Sequence, residues 1–256
     1  MSFPRSAAQL GLLLCTAFAG TQADAQSAVR PGSENGYQAG SAACGPMRVN
    51  VDGAGPYDFR IDKNRLRVVE NAHFTPGVEQ LFERKTGYFG ADIGFTLFHF
   101  PNHHRALDAM TRLSKRERVD KPRGATYSIE CYFERALRFR NDDVVARMLY
   151  AEYLVQAGRA DDALEQLRVC RNLAGDNAMT HYNVGMIYAD AKRNDLALAE
   201  AHKAMALGLQ WPGLKDRLVK VGAWSEAVAI PVAPAAAGAS EPSAIAAMPA
   251  QAASAP

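Results

Sequence analysis

The sequence predicts an all-α protein with an irregular N-terminal accessory segment and disordered termini, and three observations carry that reading. Residues 144–177 and 178–211 superimpose on each other at a spacing of 34 residues. Upstream of them, 102–114 and 127–139 carry apolar residues at the helical period. The chain as a whole is 48% hydrophobic and 22% charged, ordinary globular composition. Collagen, coiled coil and wholesale disorder are excluded on that ground.

The two ends depart from this composition. At the N-terminus, Arg5 precedes a short apolar run, Ala7 to Ala19, and Ala23-Asp24-Ala25 forms a small-x-small site before Gln26. This is the pattern of an export signal of bacterial style, residues 1–25, cleaved near Ala25. The run falls short of the roughly 20 residues that span a bilayer. An uncleaved anchor or a lipid attached at Cys15 are the alternatives, the latter disfavoured because Leu14 is not small. A periplasmic or secreted protein is therefore expected. Residues 26–43 read as a disordered linker rich in Gly, Ser and Ala, and 225–256 as a disordered Ala/Pro-rich tail. Within that tail, 229–256 holds 13 Ala, 5 Pro and one charged residue.

Net charge is +2 for the full chain, 29 Lys/Arg against 27 Asp/Glu. Phosphate binding needs a dominant basic face, so nucleic acid is not expected as a partner. The average charge gives no support for an anionic membrane surface either.

The accessory segment is expected over 44–101. Residues 44–74 carry Gly, Pro and Asp signals without a sustained period, and read as extended chain lying against the rest. Thr75-Pro76 should start a helix through about Lys85, with Thr75 as N-cap and Pro at the first position. Residues 92–99 should form another short helix, stopped by Pro101. A helix over 102–114 places Ala106, Leu107, Met110 and Leu113 on one face. One over 127–139 does the same with Ile129, Tyr132, Phe133, Ala136 and Leu137. Between them the charged run KRERVDKPRGA reads as a mobile surface loop. Trp211-Pro212-Gly213 opens a capping helix within 212–224.

The 34-residue units match position by position: Tyr150-Ala151 with Val184-Gly185, Leu154 with Tyr188, Ala163 with Ala197, Leu167 with Ala201, and Cys170 with Ala204. A small residue at position 8, an aromatic or Leu at 11, and small residues at 20 and 27 resemble the tetratricopeptide repeat. Gly158 stands at the turn between the helices of the first unit. Lys192 occupies that place in the second and departs from the pattern. The resemblance implies a short α-solenoid of helical hairpins: a degenerate unit at 102–143, repeats at 144–177 and 178–211, and the cap. More narrowly, CGPM…GPYDFR, NAHFTPGVEQL, FPNHHRAL and ECYFERALRF are similar to a group of exported bacterial tetratricopeptide-repeat proteins, over roughly 44–224. That likeness implies compartment and architecture, not a reaction.

The same resemblance implies a ligand-binding concave face at repeat positions 2, 5, 9, 12 and 13. By phase these are Val145, Met148, Glu152, Val155 and Gln156, then Met179, Tyr182, Met186, Ala189 and Asp190. Met148, Glu152, Gln156, Met179, Tyr182, Met186 and Asp190 are the candidate partner-binding residues. Methionines beside an aromatic and polar groups suit adaptable recognition of a protein or peptide. The alternative is that residues 44–100 or the cap fill this face from within the chain.

Signal cleavage leaves Cys44, Cys131 and Cys170 in an oxidising compartment. Cys170 falls at the small, buried repeat position 27 and reads as a free core thiol. Cys131 lies at the margin of its helix's apolar stripe, and a Cys44–Cys131 disulfide would staple the irregular segment to that helix.

Catalytic signals are few. No GxSxG, HExxH, P-loop or CxxC occurs, and no cofactor is expected. His99, His103 and His104 lie near Asp92 and Asp108, and a metal site is the sharpest reading of them. Adjacent helical residues diverge by about 100°, so His103 and His104 cannot easily share an ion. The plainer reading has Asn102 capping the helix and neutral histidines packed in its first turn. Asp142-Asp143 and Asp161-Asp162 read as charges at helix starts. The basic run at Lys115–Arg118 reads as a solvated loop, with contact to an anionic glycan or peptide as the bolder possibility. The functional expectation is a non-catalytic adaptor. An envelope factor contacting polysaccharide or peptidoglycan is the alternative, and a metal-binding protein or enzyme using His99–His104 the third.

Overall fold

A computed structural model of the chain describes residues 44–47 and 55–226. The expected signal, the linker and the tail from 227 onward lie outside the described residues. The described chain forms ten α-helices and no strand. They are α1 (Lys63–His73), α2 (Pro76–Glu79), α3 (Phe89–His99), α4 (His104–Glu117), α5 (Ile129–Phe139), α6 (Val144–Gln156), α7 (Ala160–Ala174), α8 (Ala178–Asp190), α9 (Asn194–Ala206) and α10 (Pro212–Lys220). From α3 onward each helix packs on the next. In addition α4 packs on α6, α6 on α8, and α8 on α10, a continuous row.

The 34-residue self-similarity is also structural. The bounds of α6 and α8 differ by 34, as do the first residues of α7 and α9. Asp143 caps α6 by accepting from Ala146 N–H, and Asn177 caps α8 by accepting from Thr180 N–H. Both turns pass through a left-handed residue, Gly158 at φ 75° and Lys192 at φ 62°. Both close with the same bonds, Arg159 N–H to Leu154 O and Arg193 N–H to Tyr188 O, each 2.9 Å. Lys192 therefore keeps the glycine geometry, against the steric preference of a residue with a Cβ.

The small positions are buried as spacing demands. Ala151, Ala163, Cys170 and Ala197 are fully enclosed. A Cβ at Gly185 would stand 2.5 Å from a Leu214 methyl and 3.2 Å from Glu200 Cβ, so a side chain here would make Leu214 shift. Burial pushes the Cys170 thiol up to about 12, as suits an unreactive core group.

A buried polar pair recurs at the same spacing. Arg147 donates to Gln166 Oε1 (2.9 Å) and to the Asn141 carbonyl (2.9 Å). His181 sits between Glu200 Oε2 (2.6 Å) and the Gly175 carbonyl (2.9 Å), with Arg171 closing on the other oxygen of Glu200. Arg147 and His181, Gln166 and Glu200, and Asn141 and Gly175 are each 34 apart. Each pair ties the first helix of its unit to the second and to the chain just before it.

Elsewhere the structure corrects the sequence reading. Residues 63–73 are helical, not extended: α1 buries only Leu66 and leaves Val68 exposed, so no apolar stripe announces it. The helix expected from Thr75 to Lys85 is one turn, α2. Leu81 turns left-handed at φ 61°, and the chain folds back with Phe82 and Glu83 N–H on the Gly77 carbonyl. Thr75 occupies the N-cap position without a side-chain cap bond. The run KRERVDKPRGA begins as the last turn of α4, which ends where Arg118 turns left-handed. Beyond that the run is anchored: Pro122 and Ala125 are buried, and Ile129 N–H bonds the Asp120 carbonyl (2.8 Å).

Cys44 and Cys131 are joined, with Cα atoms 5.0 Å apart. Two arginines of α5 reinforce the joint. Arg135, buried over the Tyr127 ring, donates to the carbonyls of Cys44 (3.1 Å) and Pro46 (2.9 Å), and Arg138 donates to that of Gly45 (2.9 Å). The segment's carbonyls thus gain charge-assisted partners that irregular chain cannot supply to itself.

Candidate functional site

The partner-binding candidates divide between two helices that pack on each other. Met148, Glu152 and Gln156 lie on α6, and Met179, Tyr182, Met186 and Asp190 on α8. Glu152 and Gln156 open into a shallow groove between α6 and α4, whose other walls are Leu149, Tyr153, Asp108, Thr111 and Lys115. No residue of 44–100 lines it. The α4 contributors were missed from sequence. Their spacing, i, i+3 and i+7, opposite the apolar stripe of the same helix, is the signal that marks them.

Glu152 is the polar centre of this groove. Partial burial against the walls disfavours its charged form. Lys115 favours the charged form, but Asp108 and Asp190 oppose it. The result is a carboxyl held above the usual glutamate range. Gln156 Nε2 donates to it at 3.4 Å. Met179 remains 37% exposed, whereas Met148 is nearly buried.

Tyr182 and Asp190 are engaged from within the chain. The Tyr182 ring meets Trp211 edge-on at 5.5 Å, its hydroxyl lies against Gly213, and Asp190 pairs with Arg217. The cap thus contacts the C-terminal part of the expected face at Tyr182 and Asp190, and the groove between α4 and α6 has no cap residue in its walls.

The histidines hold together the junction between the N-terminal segment and the start of α6. His103, not Asn102, caps α4: its Nδ1 accepts from Ala106 N–H (3.1 Å), which leaves Nε2 to donate to Glu70 (3.1 Å). Phe59 and Phe74 pack on the ring. Burial, aided by Arg105, pushes His103 down to about 3. Asn102 is fully buried instead and donates one amide to both Asp58 and Asp143, each at 2.8 Å, while Phe59 N–H bonds its oxygen. Asp143 also accepts from His104 Nε2 (2.8 Å). Burial opposes its ionisation, but the bonds from His104, Ala146 and Asn102 outweigh that and hold it below the usual range. Asp58 is lowered chiefly by the Arg60 guanidinium at 2.8 Å. His99 lies apart, its ring against Phe95 and Phe98. Among the described residues, no group of three or more His, Cys, Asp or Glu side chains is arranged to hold a metal ion.

This junction makes stability sensitive to acid. Below pH 6.5 the unfolded chain binds a proton at His103 that the folded chain refuses until about pH 3. Asp58 and Asp143, both depressed, add the same sign: they stabilise above the ordinary carboxylate range, and that contribution fades as pH falls through their folded values. Unfolding free energy should therefore drop as pH falls from about 6 to 4, and His103→Asn, which can still cap, should lessen the slope by roughly 1.4 kcal/mol per pH unit. Equal slopes in chemical denaturation of the two proteins would refute the assignment.

In comparisons with known proteins, no family model matches the chain, and no curated protein or solved structure matches it. Among the described residues no helix is long and apolar enough to cross a membrane.

Proposed function

We propose that the chain is an exported, non-catalytic adaptor of the tetratricopeptide-repeat type, which binds a protein or peptide partner in the bacterial periplasm or cell envelope. The observation that carries this reading is the 34-residue recurrence of helix bounds, caps, left-handed turns and buried polar pairs across α6–α9. In this reading α4 and α5 are a degenerate unit whose helices are separated by the anchored insertion, and α10 closes the stack. The row α4, α6, α8 presents the binding face. Its open part combines Leu149 and Tyr153 with Glu152, Gln156 and Lys115, a mixture that suits an extended peptide carrying both apolar and polar groups. The Cys44–Cys131 disulfide agrees with an oxidising compartment.

Site-specific photocrosslinking in cells tests it. A photo-reactive residue at Gln156 or Met186 is expected to give protein adducts that Glu152→Arg abolishes, in material whose N-terminus is Gln26. Adducts indifferent to Glu152→Arg, retention of glycan instead of protein, or an uncleaved cytoplasmic product would each overturn the reading.

A further inference from the structure

The near-neutral average charge conceals a concentrated basic face. Two segments far apart in sequence, 81–88 and 116–123, are locked together. Arg116 donates to the Leu81 carbonyl at 2.7 Å, and both Arg84 and Arg116 lie over the Phe89 ring. Arg123 lies over Tyr88 at 4.4 Å. Two glycines make the approach possible: a Cβ at Gly90 would stand 2.5 Å from the Arg123 carbonyl, and one at Gly124 would stand 2.7 Å from Tyr88 Cβ. Together the segments hold six Lys/Arg (Arg84, Lys85, Arg116, Arg118, Lys121, Arg123) against Glu83, Glu117 and Asp120. The rest of the chain carries 23 Lys/Arg against 24 Asp/Glu. All of the excess positive charge is therefore on this face.

Apolar side chains stand among those charges. Phe82 is 73% exposed, Val119 44% and Tyr88 38%. Single exposed apolar residues are ordinary. Three in two joined segments that also carry six cations are the composition of a surface that meets anionic headgroups with its charges and the acyl boundary with its apolar tips.

We infer that the face formed by residues 81–88 and 116–123 docks on an anionic lipid surface, with Phe82 entering the headgroup region and the six cations over acidic headgroups. A soluble polyanion would satisfy the cations but offers Phe82 no apolar phase, so lipid is the occupant that accounts for both features. This surface is built by the α2–α3 connection, the end of α4 and the α4–α5 connection, and needs nothing from the groove between α4 and α6.

Flotation of the full disulfide-bonded chain with phosphatidylcholine vesicles, with and without phosphatidylglycerol, tests the inference. Binding is expected only with phosphatidylglycerol, and should collapse when salt rises from about 0.1 to 1 M, where the Debye length shrinks from about 10 to 3 Å. Lys85→Glu/Lys121→Glu should weaken it at least about 25-fold, taking about fivefold per cation. Phe82→Ser should weaken it about tenfold. These side chains are exposed, so circular dichroism and thermal melts should match the parent. Absence of vesicle binding, equal binding to neutral vesicles, or indifference to Phe82→Ser with full competition by polyglutamate would each overturn the inference, the last in favour of a soluble polyanion.

Discussion

Replacing Cys44 and Cys131 together with serine is expected to lower the unfolding free energy by roughly 4–5 kcal/mol, the loop-closure term for a link that spans 87 residues. The bond closes a loop that contains α1 to α4, so its loss enlarges the unfolded ensemble of nearly half the described chain. The arginine clasp should not compensate. Arg135 and Arg138 orient the carbonyls of 44–46, but hydrogen bonds present only in the folded state do not constrain the unfolded one. Denaturant titration of the oxidised parent beside the double variant measures the difference. A change below about 1 kcal/mol would mean that the unfolded chain is already compact around this segment.

Asp143→Ala should cost about 3–5 kcal/mol, the range for removing one partner of a buried charged network. The carboxylate is almost wholly enclosed and serves Asn102, His104 and the first turn of α6 at once. Alanine leaves those donors buried without their acceptor and removes the cap of the helix that carries Met148, Glu152 and Gln156. Asp143→Asn keeps the shape and one acceptor oxygen, and should lose less. Equal loss in the two variants would show that charge, and not the cap, dominates. Loss under about 1 kcal/mol for alanine would remove Asp143 from the centre of the junction.

Features governed by local periodicity were legible in sequence. The buried stripe of α5 (Ile129, Tyr132, Phe133, Ala136, Leu137) is the one its spacing marks, and the matched small residues of α6 to α9 are enclosed as expected. The cysteine pairing followed from Cys170 falling at a buried repeat position and Cys131 at the margin of its helix's apolar stripe, with Cys44 in irregular chain. Features that depend on distant close approach were not legible. Nothing in 81–90 announces that Gly90 will meet the Arg123 carbonyl, so the insertion read as a free loop. Asn102 read as a cap because it precedes a helix, yet its amide is drawn inward between Asp58 and Asp143, and His103 takes the cap. The groove lies between, since Asp108, Thr111 and Lys115 share a face by spacing, but which neighbour that face opens toward is a tertiary fact. The recurrent pair was readable and passed over: Arg147 and His181 stand 34 apart, as do Gln166 and Glu200.

That recurrent pair also limits how the helices can slide. Apolar packing between two smooth helices tolerates displacement along their axes, because one methyl row resembles the next. A slip of α8 along α9 by one turn, about 5.4 Å, would carry His181 away from Glu200 and take the His181 bond from one oxygen of a carboxylate that is 2% exposed. The same slip between α6 and α7 would part Arg147 from Gln166. The two bridges work as detents, admitting one axial alignment of each helix pair and penalising its neighbours far more than alanine contacts alone could.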